Sequence, residues 1–107
     1  LCRAWHSYAT AHDVIDRTDT TAGVALDHGH TALRSLHELR TVANETELDA
    51  IDESTTALNA LITALRHETA AESHDTWSTT LDTELQDDLD SHQQLADLMV
   101  DECSTSD

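Results

Sequence analysis

Apolar positions recur at helical spacing through most of the chain, and no stretch shows the strict alternation of a strand. Trp5, Tyr8, His12 and Ile15 follow at 3-4-3 spacing and predict a first helix over about 3–17. The run RTDTTAG then interrupts the pattern, because Thr and Asp compete for backbone hydrogen bonds and Gly23 loosens the chain. Leu26, Leu33, Leu36, Leu39 and Val42 predict a second helix over 24–43, with Gly29 weakening its early turns. Asn44-Glu45 reads as a short turn, and Thr46 with Asp49 three residues on as a capping box. Leu48, Ile51, Thr55, Leu58, Ile62 and Leu65 keep strict bundle spacing through a third helix, 47–72. Ser73 or Asp75 caps a fourth, 75–102, whose stripe runs from Trp77 through Leu81, Leu85, Leu89, His92, Ala96 and Met99 to Cys103. The tail 104–107 is expected to fray. With no proline present, caps and pattern breaks set every helix end.

The 107 residues are enough for one domain. Short connections favour antiparallel neighbours, so the expected fold is all-α: an up-down-up-down four-helix bundle with both termini at one end. The rival joins the first two segments into one long helix and gives a three-helix hairpin or a coiled coil. Cys2 and Cys103 bear on the choice. An even number of helices returns the chain to the end where it started, and a disulfide needs Cα atoms within about 7 Å. Closing a loop of about 100 residues constrains the unfolded chain by roughly 4–5 kcal/mol in the entropic treatment. Neither cysteine has a second Cys or His beside it at zinc-site spacing. A Cys2–Cys103 bond implies an oxidising location, outside the cell or on a virion; free cysteines would imply the cytoplasm. Asn44-Glu45-Thr46 is a glycosylation sequon in an expected turn and points weakly the same way.

Charge changes the picture most. Twenty-two acidic residues face five arginines and no lysine, a formal net charge of −17, and Asp outnumbers Glu. At about 0.15 M salt the screening length is ~8 Å and such a surface repels itself; at ~1 M it is ~3 Å and the repulsion fades. The composition resembles that of proteins from extremely halophilic archaea or their viruses, and implies a fold that requires high salt. Five scattered arginines form no basic patch, which argues against nucleic acid as a partner. No apolar run approaches the ~20 residues of a membrane span, and direct membrane insertion is not expected. Leu1 in place of a methionine suggests a fragment or a processed product.

Candidate chemistry is sparse. Of eight histidines, His12 and His92 fall on apolar stripes. Counted from the two cysteines they lie at similar heights on the first and last helices, and Thr55 falls near the same layer. Asp16 follows His12 by four residues and Asp88 precedes His92 by four, so each pair shares a helix face. These residues suit a polar layer that fixes register. A His2Asp2 metal site is the sharper alternative, although the Glu-x-x-His signature of di-metal bundles is missing.

His37-Glu38-Leu39-Arg40-Thr41 looks like the phosphoacceptor box of histidine kinases, departing from it at Val42-Ala43 where that family has Pro-Leu. His30, in His-Thr-Ala-Leu-Arg-Ser, is similar to the acceptor of histidine-phosphotransfer domains, with one residue more and no glycine. These resemblances imply His30 or His37 as phosphoacceptor in a signalling bundle. There is no Gly-rich phosphate loop, nucleophile elbow or HExxH, so no catalytic residue is assigned and no cofactor is implied. Trp5, Tyr8 and Trp77 are aromatic candidates for a contact surface, with core packing the alternative their spacing favours. The expected function is a non-enzymatic structural or interaction module whose partner is a protein or a second copy of the chain.

Overall fold

The computed structural model describes residues 2–15, 17, 20–68 and 74–103. Among these the chain is helical, with α1 Cys2–Ile15, α2 Ala22–Val42, α3 Glu45–Arg66, α4 His74–Thr80 and α5 Asp82–Cys103. The molecule measures 39 × 25 × 19 Å. α1 packs on α2, α2 on α3 and α3 on α5, while α1 and α5 share little backbone contact. No described helix is long and apolar enough to cross a membrane.

The helix ends follow local hydrogen-bond chemistry. α1 stops at Ile15, where the Thr20 hydroxyl donates to the carbonyl of Val14 at 2.5 Å. α2 begins two residues ahead of the sequence expectation because Thr21 caps it, its hydroxyl oxygen accepting from Val24 N–H at 3.2 Å. α1 and α2 are therefore separate helices packed together, which removes the long-helix rival. At α3 the expected Thr46–Asp49 box gives way to Asn44–Glu47. The Asn44 carboxamide accepts from Glu47 N–H and the Glu47 carboxylate accepts from Asn44 N–H, both at 3.0 Å. A glutamate reaches back a full turn where an aspartate is too short, so α3 starts at Glu45. The expected fourth helix is divided at Leu81, yet Leu81 N–H bonds Trp77 O and Leu85 N–H bonds Leu81 O, each at 2.9 Å. The i to i−4 ladder thus carries through the division. Asp75 lies inside the first turn of α4 rather than capping it. Ser73, the expected end of α3 at 69–72 and the tail 104–107 lie outside the described residues.

The buried faces match the periodicity, with two shifts. On α2 the interior line is Ala22, Ala25, Gly29, Ala32, Ser35, Leu36 and Leu39. Leu36 and Leu39 of the expected stripe are fully buried, whereas Leu26 and Leu33 are only partly buried and Val42 is exposed, so the expected stripe is interior only in the middle of its length. Small residues face inward because the neighbours come close: Ser7 and Ser35 share a 3.0 Å hydrogen bond between α1 and α2. A Cβ on Gly29 would stand 3.1 Å from Ile62 Cγ1 on α3. On α3, Ser54 takes the interior position assigned to Thr55, and its hydroxyl donates to Ser91 O on α5 at 3.1 Å. Thr55 bonds Ile51 O on its own helix at 2.8 Å.

At the surface Arg40 Nε donates to Asp52 Oδ1 at 2.8 Å. That hydrogen bond holds the Asp52 carboxyl below its ordinary range and the Arg40 guanidinium above its own. The contribution to stability is present above the range where an unfolded aspartate titrates and is lost as acid protonates Asp52. Both side chains are about half exposed, so molar salt screens most of it away.

The two glycines of α2 should respond oppositely to enlargement. Gly23→Ala meets nothing within 4 Å and should raise stability by about 0.5 kcal/mol. Gly29→Leu should lower it by about 1–3 kcal/mol through overpacking against Ile62. Urea unfolding in molar salt measures both, and equal effects would contradict the close α2–α3 approach.

Candidate functional site

The chemistry-bearing side chains meet in one place, between α1 and α5. Trp5, Tyr8 and His12 lie at 3-4 spacing on α1, which puts them on one face. Asp88 and His92 are one turn apart on α5. The two imidazoles stack face to face, with ring centroids 4.0 Å apart and planes within 1° of parallel. His12 Nε2 lies 2.5 Å from Asp88 Oδ2, and both side chains are fully buried. His92 Nδ1 shares a 2.8 Å hydrogen bond with the Tyr8 hydroxyl. Trp5 stacks on the other face of the layer, its centroid 5.9 Å from that of His92.

Four rings, those of Trp5, Tyr8, His12 and His92, fill the gap between the helices, with polar contacts among them. Large side chains hold α1 and α5 apart, which accounts for the sparse backbone contact between them. The stack and the two cross-helix hydrogen bonds span the gap. His12 and Asp88 are 0% exposed, so this pair meets no solute while the seam is closed. Toward the chain ends, Cys2 and Cys103 form a disulfide with Cα atoms 5.5 Å apart. It sits one turn beyond Trp5 and Met99 and fixes the same two helices to each other.

The sequence places His12 and His92 in one layer, and they touch there. The pairing differs from expectation. Asp88 shares its face of α5 with His92 as expected, but it bonds His12 across the seam, while His92 shares a hydrogen bond with Tyr8. Thr55 is not in the layer, because the hydroxyl turned inward on α3 is that of Ser54. Asp16 lies outside the described residues. Parallel stacking aims the two imidazoles side by side and not at a common point, and no group of three or more His, Cys, Asp or Glu among the described residues is arranged to hold a metal ion.

Trp5, Tyr8 and Trp77 are buried, so the contact-surface expectation is corrected: all three are core. Trp77 Nε1–H also donates to Thr20 O at 2.9 Å and ties α4 to the α1–α2 connection. His30 and His37 are exposed on α2. Asn44 is exposed, with its carboxamide oxygen engaged in the α3 cap. The sequence reading missed the buried serines Ser35 and Ser54. Their signal was available: each lies three residues from an inward-facing apolar position on its own helix.

Open hollows mark the surface of the described residues. One of about 430 Å³ lies between α1 and α2 and is lined by His6, Ser7, Thr10, Ala11, Val14, His28 and Thr31. It does not reach the His12–Asp88 pair. Comparison with protein-family models, curated proteins and solved structures finds no match for this chain.

Removing one partner of the buried pair should be costly. Asp88→Ala should destabilise the fold by about 3–5 kcal/mol, because His12 stays buried with its acceptor gone. The double variant His12→Leu, Asp88→Leu should lie much closer to the wild type, since apolar residues of similar size often replace a buried pair at little cost. Thermal unfolding of both in molar salt is the check, and additive losses would show that the two side chains do not act as a pair.

Proposed function

We propose that this chain is a non-enzymatic structural or protein-interaction module that works outside the cell or on a virion surface in hypersaline surroundings. Its partner is a protein or a second copy of itself, and its helices form an antiparallel up-down-up-down bundle, with α4 and α5 acting as one rod. Residue pairings support that arrangement. Gly29 meets Ile62 and Arg40 meets Asp52, so the numbers rise on α2 as they fall on α3. Cys2 with Cys103, Tyr8 with His92 and His12 with Asp88 do the same for α1 and α5.

The observation that carries the location is the disulfide. A bond between residues 101 apart, joining the first helix to the last, belongs with an oxidising environment. The saline setting rests on the −17 charge, which a chain this size tolerates best when screened. The interaction role is supported by the surface: the described hollows are open, and the His12–Asp88 pair is fully buried.

Intact mass after alkylation, with and without prior reduction, tests the location. Cysteines that alkylate only after reduction, in a monomeric species, support it; cysteines that alkylate freely in native protein overturn it. Helicity followed by circular dichroism should collapse as salt falls well below ~1 M. A fold that persists in dilute buffer would remove the hypersaline setting and leave the acidic surface to a cationic partner.

A second reading has one observation in its favour. His30 and His37 are both solvent-exposed on α2, as a phosphoacceptor imidazole must be. A histidine-phosphotransfer role would give an acid-labile phosphohistidine after incubation with a histidine kinase and ATP, lost in the double variant His30→Gln, His37→Gln.

A further inference from the structure

We infer that Asn44 is an acceptor for N-linked glycosylation, its carboxamide nitrogen taking a sugar activated on a phosphate. The inference rests on the proposed location outside the cell, because sugars on asparagine belong to exported chains. Asn44, Glu45 and Thr46 have the acceptor spacing, with a residue other than proline in the middle. Placement, backbone and hydrogen bonding of this motif all suit the attachment.

All three residues are exposed. Asn44 belongs to the short connection between Val42 and Glu45, and its backbone is extended, with φ −85° and ψ 174°. A bulky group attached there grows from a turn and not from a packed helix face. Asn59, the other asparagine of the chain, is the contrast. It is exposed too, but it lies inside α3 and is followed by Ala60-Leu61, which supply no hydroxyl.

The α3 cap orients the carboxamide. Glu47 N–H donates to Asn44 Oδ1 at 3.0 Å, and only the oxygen of an amide side chain can accept from a backbone N–H. That settles which end of the group is held to the helix and leaves Nδ2 as the other. The second bond of the cap runs from Asn44 backbone N–H to Glu47 Oε1 at 3.0 Å. Neither bond uses Nδ2. The Thr46 hydroxyl makes no hydrogen bond among the described residues, so it is available to a transferase that reads it.

In the transfer, Nδ2 bonds the anomeric carbon of the sugar as the bond from that carbon to the phosphate oxygen breaks. The phosphate leaves with the bonding electrons, and Nδ2 gives one of its two protons to a base of the transferase. The product is a secondary amide whose Oδ1 still accepts. The Asn44–Glu47 cap therefore survives the modification, and α3 keeps its start at Glu45.

The test secretes the chain, carrying an export leader, from a host that grows in molar salt and attaches sugars to asparagine. Intact and peptide mass spectrometry read the sugar, and alkylation before and after reduction reads the disulfide separately. The expected result is a mass above that of the sequence by whole sugar residues, carried on the peptide that contains Asn44. Thr46→Ser keeps the hydroxyl and should keep the sugar, whereas Thr46→Ala and Asn44→Asp should lose it completely. Asp caps a helix as well as Asn does, so Asn44→Asp should match the helicity and Tm of the sugar-free chain. An exported, disulfide-bonded chain with no sugar on Asn44 overturns the acceptor site and leaves the location standing. Sugar that persists in Thr46→Ala, or is carried instead by Asn59 or a hydroxyl side chain, overturns the site as well. Sugar on Asn44 in a chain whose thiols alkylate freely supports the site and overturns the location.

Discussion

The closing of the first helix against the last is the contact on which the rest of the fold depends. The other neighbours are joined in series: α1 lies on α2, α2 on α3 and α3 on α5. A series of this kind has two free faces, and each belongs to an amphipathic helix whose apolar stripe would otherwise meet water. The α1–α5 seam removes both faces at once. It does so with few backbone contacts, so the burden falls on Trp5, Tyr8, His12, Asp88 and His92, and on the disulfide beyond them. In the entropic treatment a cross-link over this span is worth roughly 4–5 kcal/mol, comparable to the whole stability of many small domains. The covalent bond makes up for a seam whose noncovalent part is partly polar.

Two packing regimes coexist for a reason visible in the side chains. Along the first part of α2 the inward residues are Ala22, Ala25, Gly29 and Ala32, the helices approach closely, and the gain comes from dispersion across short distances. Along the α1–α5 seam the inward residues are large rings, the helices stand off, and the gain comes from stacking and two directed hydrogen bonds. The chain lacks phenylalanine and has one methionine, so this seam has few large apolar side chains to draw on. Imidazoles fill the volume that phenylalanine would fill elsewhere, and they bring with them protons that must be accounted for.

Much of this was legible from residue spacing, and the misses have physical causes. Periodicity locates the helices because each buries one face, and the position of Cys2 and Cys103 follows from the return of the chain to its starting end. Counting inward from the cysteines puts His12 and His92 at one height, since every residue of helix advances by the same rise. Rotation about the axis is less legible. Ser54 and Thr55 differ by about 100° around α3, and only packing against Ser91 decides which points inward. The same uncertainty hides the exchange of partners, in which Asp88 reaches His12 and leaves His92 to Tyr8. On α2 the leucine pattern finds Leu36 and Leu39, whereas nearer the start of the helix close approach selects the alanines and Gly29 beside Leu26 and Leu33. At the start of α3, Glu47 wins over Asp49 because of one methylene of reach, a distinction that spacing rules do not carry.

The buried His12–Asp88 pair is best understood through what an apolar pair in its place would lack. Leucines would fill the layer and avoid the desolvation of two polar side chains, so stability alone does not explain the polar choice. Leucines would also tolerate a sliding of α5 along α1 by a turn, because one leucine stripe fits another in several registers. In a chain whose stripes are mostly leucine and alanine, that degeneracy is a real hazard. A sliding by one turn, about 5.4 Å, would separate His12 from Asp88 and Tyr8 from His92 together, leaving four polar groups to be satisfied anew in the interior. The disulfide enforces register only near Cys2 and Cys103, at the ends of the two helices. The polar layer enforces it some ten residues further in, where the covalent constraint has lost its leverage. The two devices are therefore complementary: one limits how far the helices can part, and the other selects how they meet.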